Sequence, residues 1–158
     1  MLRATLFALA LAGTSSLPAL ANGLTAEQMV ERATVTVDAT GQEIRTYAVA
    51  EEVAPGDEVR YSLAYANASA TAAEDVSLVM PVPAEVTYIE ASATGNPDDI
   101  LYSADGGQSF AKRTTLTLGE GAQERLATAD EITHIKWAFS DPIAPSSAGT
   151  ISFSAVLK

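Results

Sequence analysis

Glu58-Val59-Arg60-Tyr61-Ser62-Leu63-Ala64-Tyr65-Ala66-Asn67 alternates without a break. Val59, Tyr61, Leu63 and Tyr65 stand on one side, and Arg60, Ser62, Ala64 and Ala66 on the other. Successive side chains of a strand point to opposite faces, so this period of two predicts a half-buried antiparallel strand. The same rule applies downstream. Ile135, Trp137 and Phe139 alternate with His134, Lys136 and Ala138, and Ile151, Phe153, Ala155 and Leu157 form one phase of the final run. Fainter strand signals cover residues 34–39, 44–50, 75–80, 86–94, 100–103 and 114–118. Turn residues separate them: Thr40-Gly41, Pro55-Gly56-Asp57, Asn67-Ala68-Ser69, Pro81-Val82-Pro83, Gly95-Asn96-Pro97, Asp105-Gly106-Gly107, Asp141-Pro142 and Pro145-Ser146. Many short strands with turns between them predict an all-β antiparallel sandwich of two sheets and about 7–9 strands. One stretch, residues 25–32, reads as a short helix, with Thr25 and Gln28 spaced as a capping box.

The first residues read as an address. Arg3 supplies a positive charge, an apolar run spans 4–12, and Ala19-Leu20-Ala21 closes the segment as an A-x-A site. Those are the three parts of a secretory signal, and the run is well short of the ~20 residues of a bilayer span. The expected organisation is therefore a signal over 1–21 cut after Ala21, an N-terminal segment over 22–32 with helical character, and one β-domain over 33–158. Cleavage would leave 137 residues and, with Arg3 gone, move the formal charge from −11 to −12. The product is expected outside the cytoplasm, periplasmic or at the cell surface, with no membrane span in the mature chain.

Composition narrows the chemistry. The 158 residues are 47% hydrophobic, which suits one packed core and not a disordered chain. Twenty acidic residues against nine basic ones argue against a nucleic-acid backbone or an anionic lipid surface as partner. Cysteine is absent, so disulfides, thiolate metal sites and thiol nucleophiles are excluded.

Three ordered stretches carry a resemblance: 53–61 with Tyr65-Ala66-Asn67 after it, Val76-Ser77-Leu78-Val79-Met80-Pro81-Val82-Pro83, and Gly149-Thr150-Ile151-Ser152-Phe153. Together they resemble the conserved-repeat domain of bacterial and archaeal surface proteins known as domain of unknown function eleven, over roughly residues 50 to 157. The resemblance implies an immunoglobulin-like sandwich and brings no catalytic residues. This chain departs from the tandem arrangement usual there by carrying a single copy. Each stretch also has a plain physical reading. Pro55-Gly56 suits a type II turn, Asn67 can bond backbone two residues on, and Pro81 and Pro83 belong at a strand end.

Candidate sites were weighed against structural roles. Ser103, Asp105, Gly107 and Phe110 fit S-x-D-x-G-x-[ST]-[FW], the Asp-box that recurs in sialidases and other β-propellers as a structural turn; one copy is expected to make one hairpin. Asn96, Asp98, Asp99 and Asp105 are hard oxygen donors of the type calcium uses, although their spacing fits no EF-hand and such turns need no metal. No metal and no cofactor are expected. His134 is the single histidine and should face away from the core beside Lys136. The pairs Glu51-Glu52, Glu74-Asp75, Asp98-Asp99 and Asp130-Glu131 read as solvated charge, and no G-x-S-x-G elbow is present. Tyr47, Tyr61, Tyr65, Tyr88, Tyr102 and Trp137 could form a sugar platform, but mostly fall on core phases. Asn67-Ala68-Ser69 is a formal glycosylation sequon.

The expected function is that of a non-catalytic exported domain, a structural, adhesive or accessory component of a cell envelope acting through a protein partner or self-association. The alternatives are a strand-donating subunit of a surface filament, with residues 33–39 as donor, and a carbohydrate or small-ligand binding module.

Overall fold

The computed structural model describes residues 23–95 and 99–158. The signal reading, with Ala19 and Ala21, lies outside them, as do Asn96 and Asp98.

The decisive stretch forms β3 (Glu58–Asn67) with the predicted bounds, flanked by β1 (Leu24–Val37) and β10 (Ala148–Leu157). β2 (Glu43–Val49) lies outside β1 and β5 (Val86–Tyr88) outside β10, so the order of the larger sheet is β2-β1-β3-β10-β5. All of its pairs are antiparallel. The smaller sheet places β9 (His134–Ala138) between β4 (Ser77–Pro81) and β6 (Asp99–Ser103). A two-residue ladder joins β7 (Thr117–Leu118) to β8 (Arg125–Leu126). Helical structure among the described residues is confined to short 3-10 segments.

Both sheets feed one core. Tyr61 and Phe153, opposite each other in β3 and β10, stack with centroids 5.0 Å apart. Tyr88 of β5 meets Tyr102 of β6 across the sheets, and their hydroxyls are 3.1 Å apart. Trp137, fully buried on β9, donates Nε1–H to the Thr94 carbonyl at 3.0 Å, while Thr94 itself bridges to Ser152 of β10. Each such large apolar side chain contributes about 1.5–3 kcal/mol through burial. The Tyr88–Tyr102 and Trp137–Thr94 contacts tie the smaller sheet to the larger one.

The predicted helix over 25–32 is overturned: these residues lie inside β1. Leu24 and Ala26 bury at a period of two, and Leu24–Arg32 pair antiparallel with Val59–Asn67. The helix formers Glu27 and Met29 face outward, where packing makes no demand on them. The supposed cap residue, Thr25, gives its hydroxyl hydrogen to the Ala66 carbonyl instead, at 3.3 Å. Helix propensity is a few tenths of a kcal/mol per residue, and a full ladder with β3 outweighs it. The expected division at 32/33 therefore falls in the middle of a strand. Residues 86–94 also form less strand than predicted. Pairing stops at Tyr88, and Ala91 adopts φ 59° before Thr94 rejoins the sheet edge.

Candidate functional site

Ser103, Asp105, Gly107, Phe110 and His134 lie on or against the loop after β6, and the structure shows what they do there. Asp105 caps the loop. Its Oδ1 accepts from the Ser103 hydroxyl at 2.7 Å and from the Gln108 and Ser109 amides at 3.0 Å, and Oδ2 accepts from the Ser109 hydroxyl at 2.6 Å. Fully buried Ser103 receives the Gly107 amide at 2.9 Å. These donors, the Ser109 hydroxyl foremost, hold the Asp105 carboxyl well below the usual carboxylate range. Gly106 and Gly107 take φ 78° and 85°, the left-handed region open to glycine. Half-buried Phe110 has the Lys136 ammonium 5.4 Å from its ring centre. The hairpin then closes through mutual bonds between Tyr102 and Ala111.

One neighbour, Thr133, escaped the sequence reading. Thr133 Oγ1 accepts the Gly106 amide at 3.0 Å and donates to the Ser103 carbonyl at 3.2 Å, tying the loop to the start of β9. A Cβ on Gly107 would lie 3.4 Å from the His134 ring, whose Nδ1 is 3.2 Å from the Thr133 hydroxyl. Half-buried His134 thus lies against this loop, pointing away from the core as its phase in β9 requires.

Asp99 and Asp105 do not come together. Asp99 opens β6 and Asp105 lies two residues past its end, and the strand alone spans about 13 Å. Asp99 instead pairs with Lys112 at 3.2 Å. Among the described residues no group of three or more His, Cys, Asp or Glu side chains is placed to hold a metal ion.

The carboxylate pairs serve as surface ties. Glu131 holds Arg125 at 2.6 Å and the Thr128 amide at 2.9 Å, and its pKa is lowered to about 2 chiefly by Arg125. Asp130 accepts from Lys158 at 2.7 Å and from Thr87 at 3.0 Å, again lowering its pKa. A general acid needs a shift in the opposite direction. Glu51, Glu52, Glu74 and Asp75 are exposed.

Asn67 is fully buried. Nδ2 donates to the Thr71 and Ile143 carbonyls, both at 2.8 Å, and Oδ1 accepts the Ser69 amide at 3.0 Å and hydroxyl at 2.7 Å. The bond to Ser69 is the two-residue turn closure predicted from sequence. The nitrogen that a glycan would need is committed to two carbonyls.

Of the aromatic set, Tyr61, Tyr65, Tyr88, Tyr102 and Trp137 are buried. Tyr47 alone lies on the outer face, covered by the Arg60 guanidinium 3.6 Å from its ring centre. Arg60 also pairs with Glu31 at 2.8 Å. Beside this cluster, the outer surface of β1, β3 and β10 forms an open trough of about 780 Å³ over Thr25, Ala64, Ala66, Ala148 and Thr150. An apolar cavity of about 120 Å³ lies among Val30, Val53, Val59, Tyr61 and Val86, smaller than the ~300 Å³ at which pockets for drug-sized ligands begin.

Large exposed apolar side chains have a marked distribution. Among the described residues, five of seven (Met29, Val35, Val37, Ile44 and Val49) belong to β1 and β2. β3 pairs with β1 only as far as Arg32, so residues 33–37 and their β2 partners project past it as a two-stranded arm. Compared with protein-family models, with curated proteins and with solved structures, the chain matches none. The resemblance to the surface-protein repeat domain therefore rests on the quoted residues alone.

Proposed function

We propose that this chain is a non-catalytic exported domain, a structural, adhesive or accessory component of a cell envelope that acts through protein–protein contacts and is built as an immunoglobulin-like sandwich. The observation that carries the reading is the concentration of exposed apolar side chains on β1 and β2. Val37 is 65% exposed on the arm, with Val35 and Ile44 exposed beside it, and Val49, also 65% exposed, lies at the base of the arm opposite Glu31. A two-stranded ribbon is marginal alone in water, and an apolar one gains from a covering partner. By contrast, Ser103, Asp105 and Asn67 spend their hydrogen-bonding capacity on turns, leaving contact surface as what the fold offers outward. The secretory signal and the repeat-domain resemblance supply the compartment.

Strand donation by residues 33–39 is the weaker reading. Ala33–Val37 already pair with Glu43–Tyr47, and donation would first have to break that ladder. Two measurements test the proposal. The exported chain should begin at Asn22 by N-terminal sequencing and be found outside the cytoplasm. Replacing Val35, Val37 and Val49 with serine should leave the fold intact and abolish its association with envelope material. A chain retained in the cytoplasm with Met1, or unchanged association of the triple variant, would refute it.

A further inference from the structure

The open edge of β2 has the geometry to pair with itself. Backbone bonds from Asp38 to Gln42 and from Ala50 to Val30 set the phase of the β1–β2 ladder. In an antiparallel pair hydrogen-bonded and non-bonded positions alternate, so Ile44, Thr46 and Ala48 direct their backbone groups toward β1. Glu43, Arg45, Tyr47 and Val49 then present theirs at the sheet edge, where no strand of the described residues pairs with them.

Other edges among the described residues are guarded. β4 ends at Pro81, β5 has three residues, and β6 is covered by the bonds between Tyr102 and Ala111. β2 has seven residues, no proline and no lysine. Proline, bulges and inward or edge charges are the usual means of keeping strand edges apart. In a chain of net charge −11 this strand carries one acid and one base, and Arg45 is paired to Glu58 at 3.5 Å. Electrostatic repulsion, which opposes association over most of the acidic surface, is absent here.

We propose that a second copy of this chain occupies the β2 edge, with the two β2 strands antiparallel about a two-fold axis at Thr46, so that the two larger sheets become one. The register follows from the phase. Only residues 43, 45, 47 and 49 offer outward groups, and full overlap of 43–49 with its copy sets Glu43 opposite Val49, Arg45 opposite Tyr47, Ile44 opposite Ala48 and Thr46 opposite itself. The odd positions form the bonded pairs, giving about eight new main-chain hydrogen bonds. No like charges face each other, and each Arg45 meets a Tyr47 ring. A one-step slip of the axis to Arg45 would set two guanidiniums directly opposite. The partner is thus read from the strand's own symmetry; the proposal goes beyond the contact reading and is independent of export.

The test uses the full chain and its lack of cysteine. Thr46 would sit in a non-bonded pair, where the Cα atoms are ~4.5 Å apart, within the range a disulfide spans. Thr46→Cys should oxidise rapidly to a covalent dimer, while Val79→Cys, also exposed but on β4, should not. Light scattering from micromolar to millimolar protein should show a dimer for the wild type. Thr46→Lys and Thr46→Glu should each weaken it by about tenfold or more, with unchanged urea midpoints, and mixing the two variants should restore it. A wild type that stays monomeric, a Thr46→Cys rate equal to that of Val79→Cys, or no recovery on mixing overturns self-pairing. None of these results bears on association with envelope material, which the serine triple variant reads separately.

Discussion

Replacing Asn67 with aspartate changes one group of nearly the same shape and reverses its hydrogen-bonding sense where the amide nitrogen stood. In the native protein Nδ2 donates to the Thr71 and Ile143 carbonyls, and the side chain is fully buried. Asn67→Asp removes both donors and sets a carboxylate oxygen against two carbonyl oxygens. Each lost bond is worth about 1 kcal/mol, and the unpaired buried acceptors with the desolvated charge add about 2 kcal/mol more. The expected loss at pH 7 is about 4 kcal/mol, or roughly 12 °C in Tm for a domain of this size. Protonation of the introduced carboxyl supplies a donor again. Burial and the facing carbonyls raise its folded-state pKa above the unfolded value of about 3.9, so the penalty is full at high pH and recedes as pH falls through the folded pKa. If protonation recovers half the loss, the folded pKa stands near ~5.5. The difference between variant and wild type should then shrink by about 1 kcal/mol between pH 7 and pH 4.5. Urea titration read by Trp137 fluorescence measures both quantities, since the only tryptophan is fully buried. A loss under about 1 kcal/mol, or a difference that does not change with pH, would show that Asn67 does not hold the 67–71 turn to the 143 segment as described.

Three further outcomes follow from the same contacts. Gly149→Ala should destabilise by about 2 kcal/mol, because a Cβ there would fall 2.6 Å from Cζ of the Tyr65 ring; in a double-mutant cycle with Tyr65→Ala the two losses should fall short of additive. Stability should decline on acidification from about pH 4.5 toward pH 2. Glu131 drops from a reference of 4.5 to about 2 in the fold and Asp105, Asp38 and Asp130 also titrate low, so the folded state holds fewer protons across that window; Asp105→Asn with Glu131→Gln should flatten the slope of urea midpoint against pH. Heat midpoints in calcium and in chelator should coincide, since Asp105 is saturated by loop donors and Asp99 is paired with Lys112; a rise with calcium concentration would refute this.

What could be read from sequence was what is local, or periodic with large side chains. β3 was legible because its apolar phase holds Val59, Tyr61, Leu63 and Tyr65 without exception, and it emerged with the predicted ends. The Asp105 loop was legible because Ser103, Gln108 and Ser109 all lie within four residues of the carboxylate they satisfy, and the Gly107 amide bonds Ser103 in the same stretch. The N-terminal half of β1 was not. Its inner phase includes Ala26 and Gln28, weak apolar markers, and its outer phase carries helix formers, so only the partner strand more than thirty positions away along much of its length reveals the period. Asp99 and Asp105 are close in sequence, yet the strand between them is extended and drives them apart. The exposed apolar arm was not legible, for a topological reason. Alternation says which residues share a face of a strand, but whether that strand has one neighbour or two depends on the order β2-β1-β3-β10-β5, a property of the whole sheet. The exposed valines of the arm look like core residues until β3 is seen to stop pairing at Arg32. The exposed apolar residues on which the proposed contact rests are therefore those whose placement appears only when the sheet is assembled.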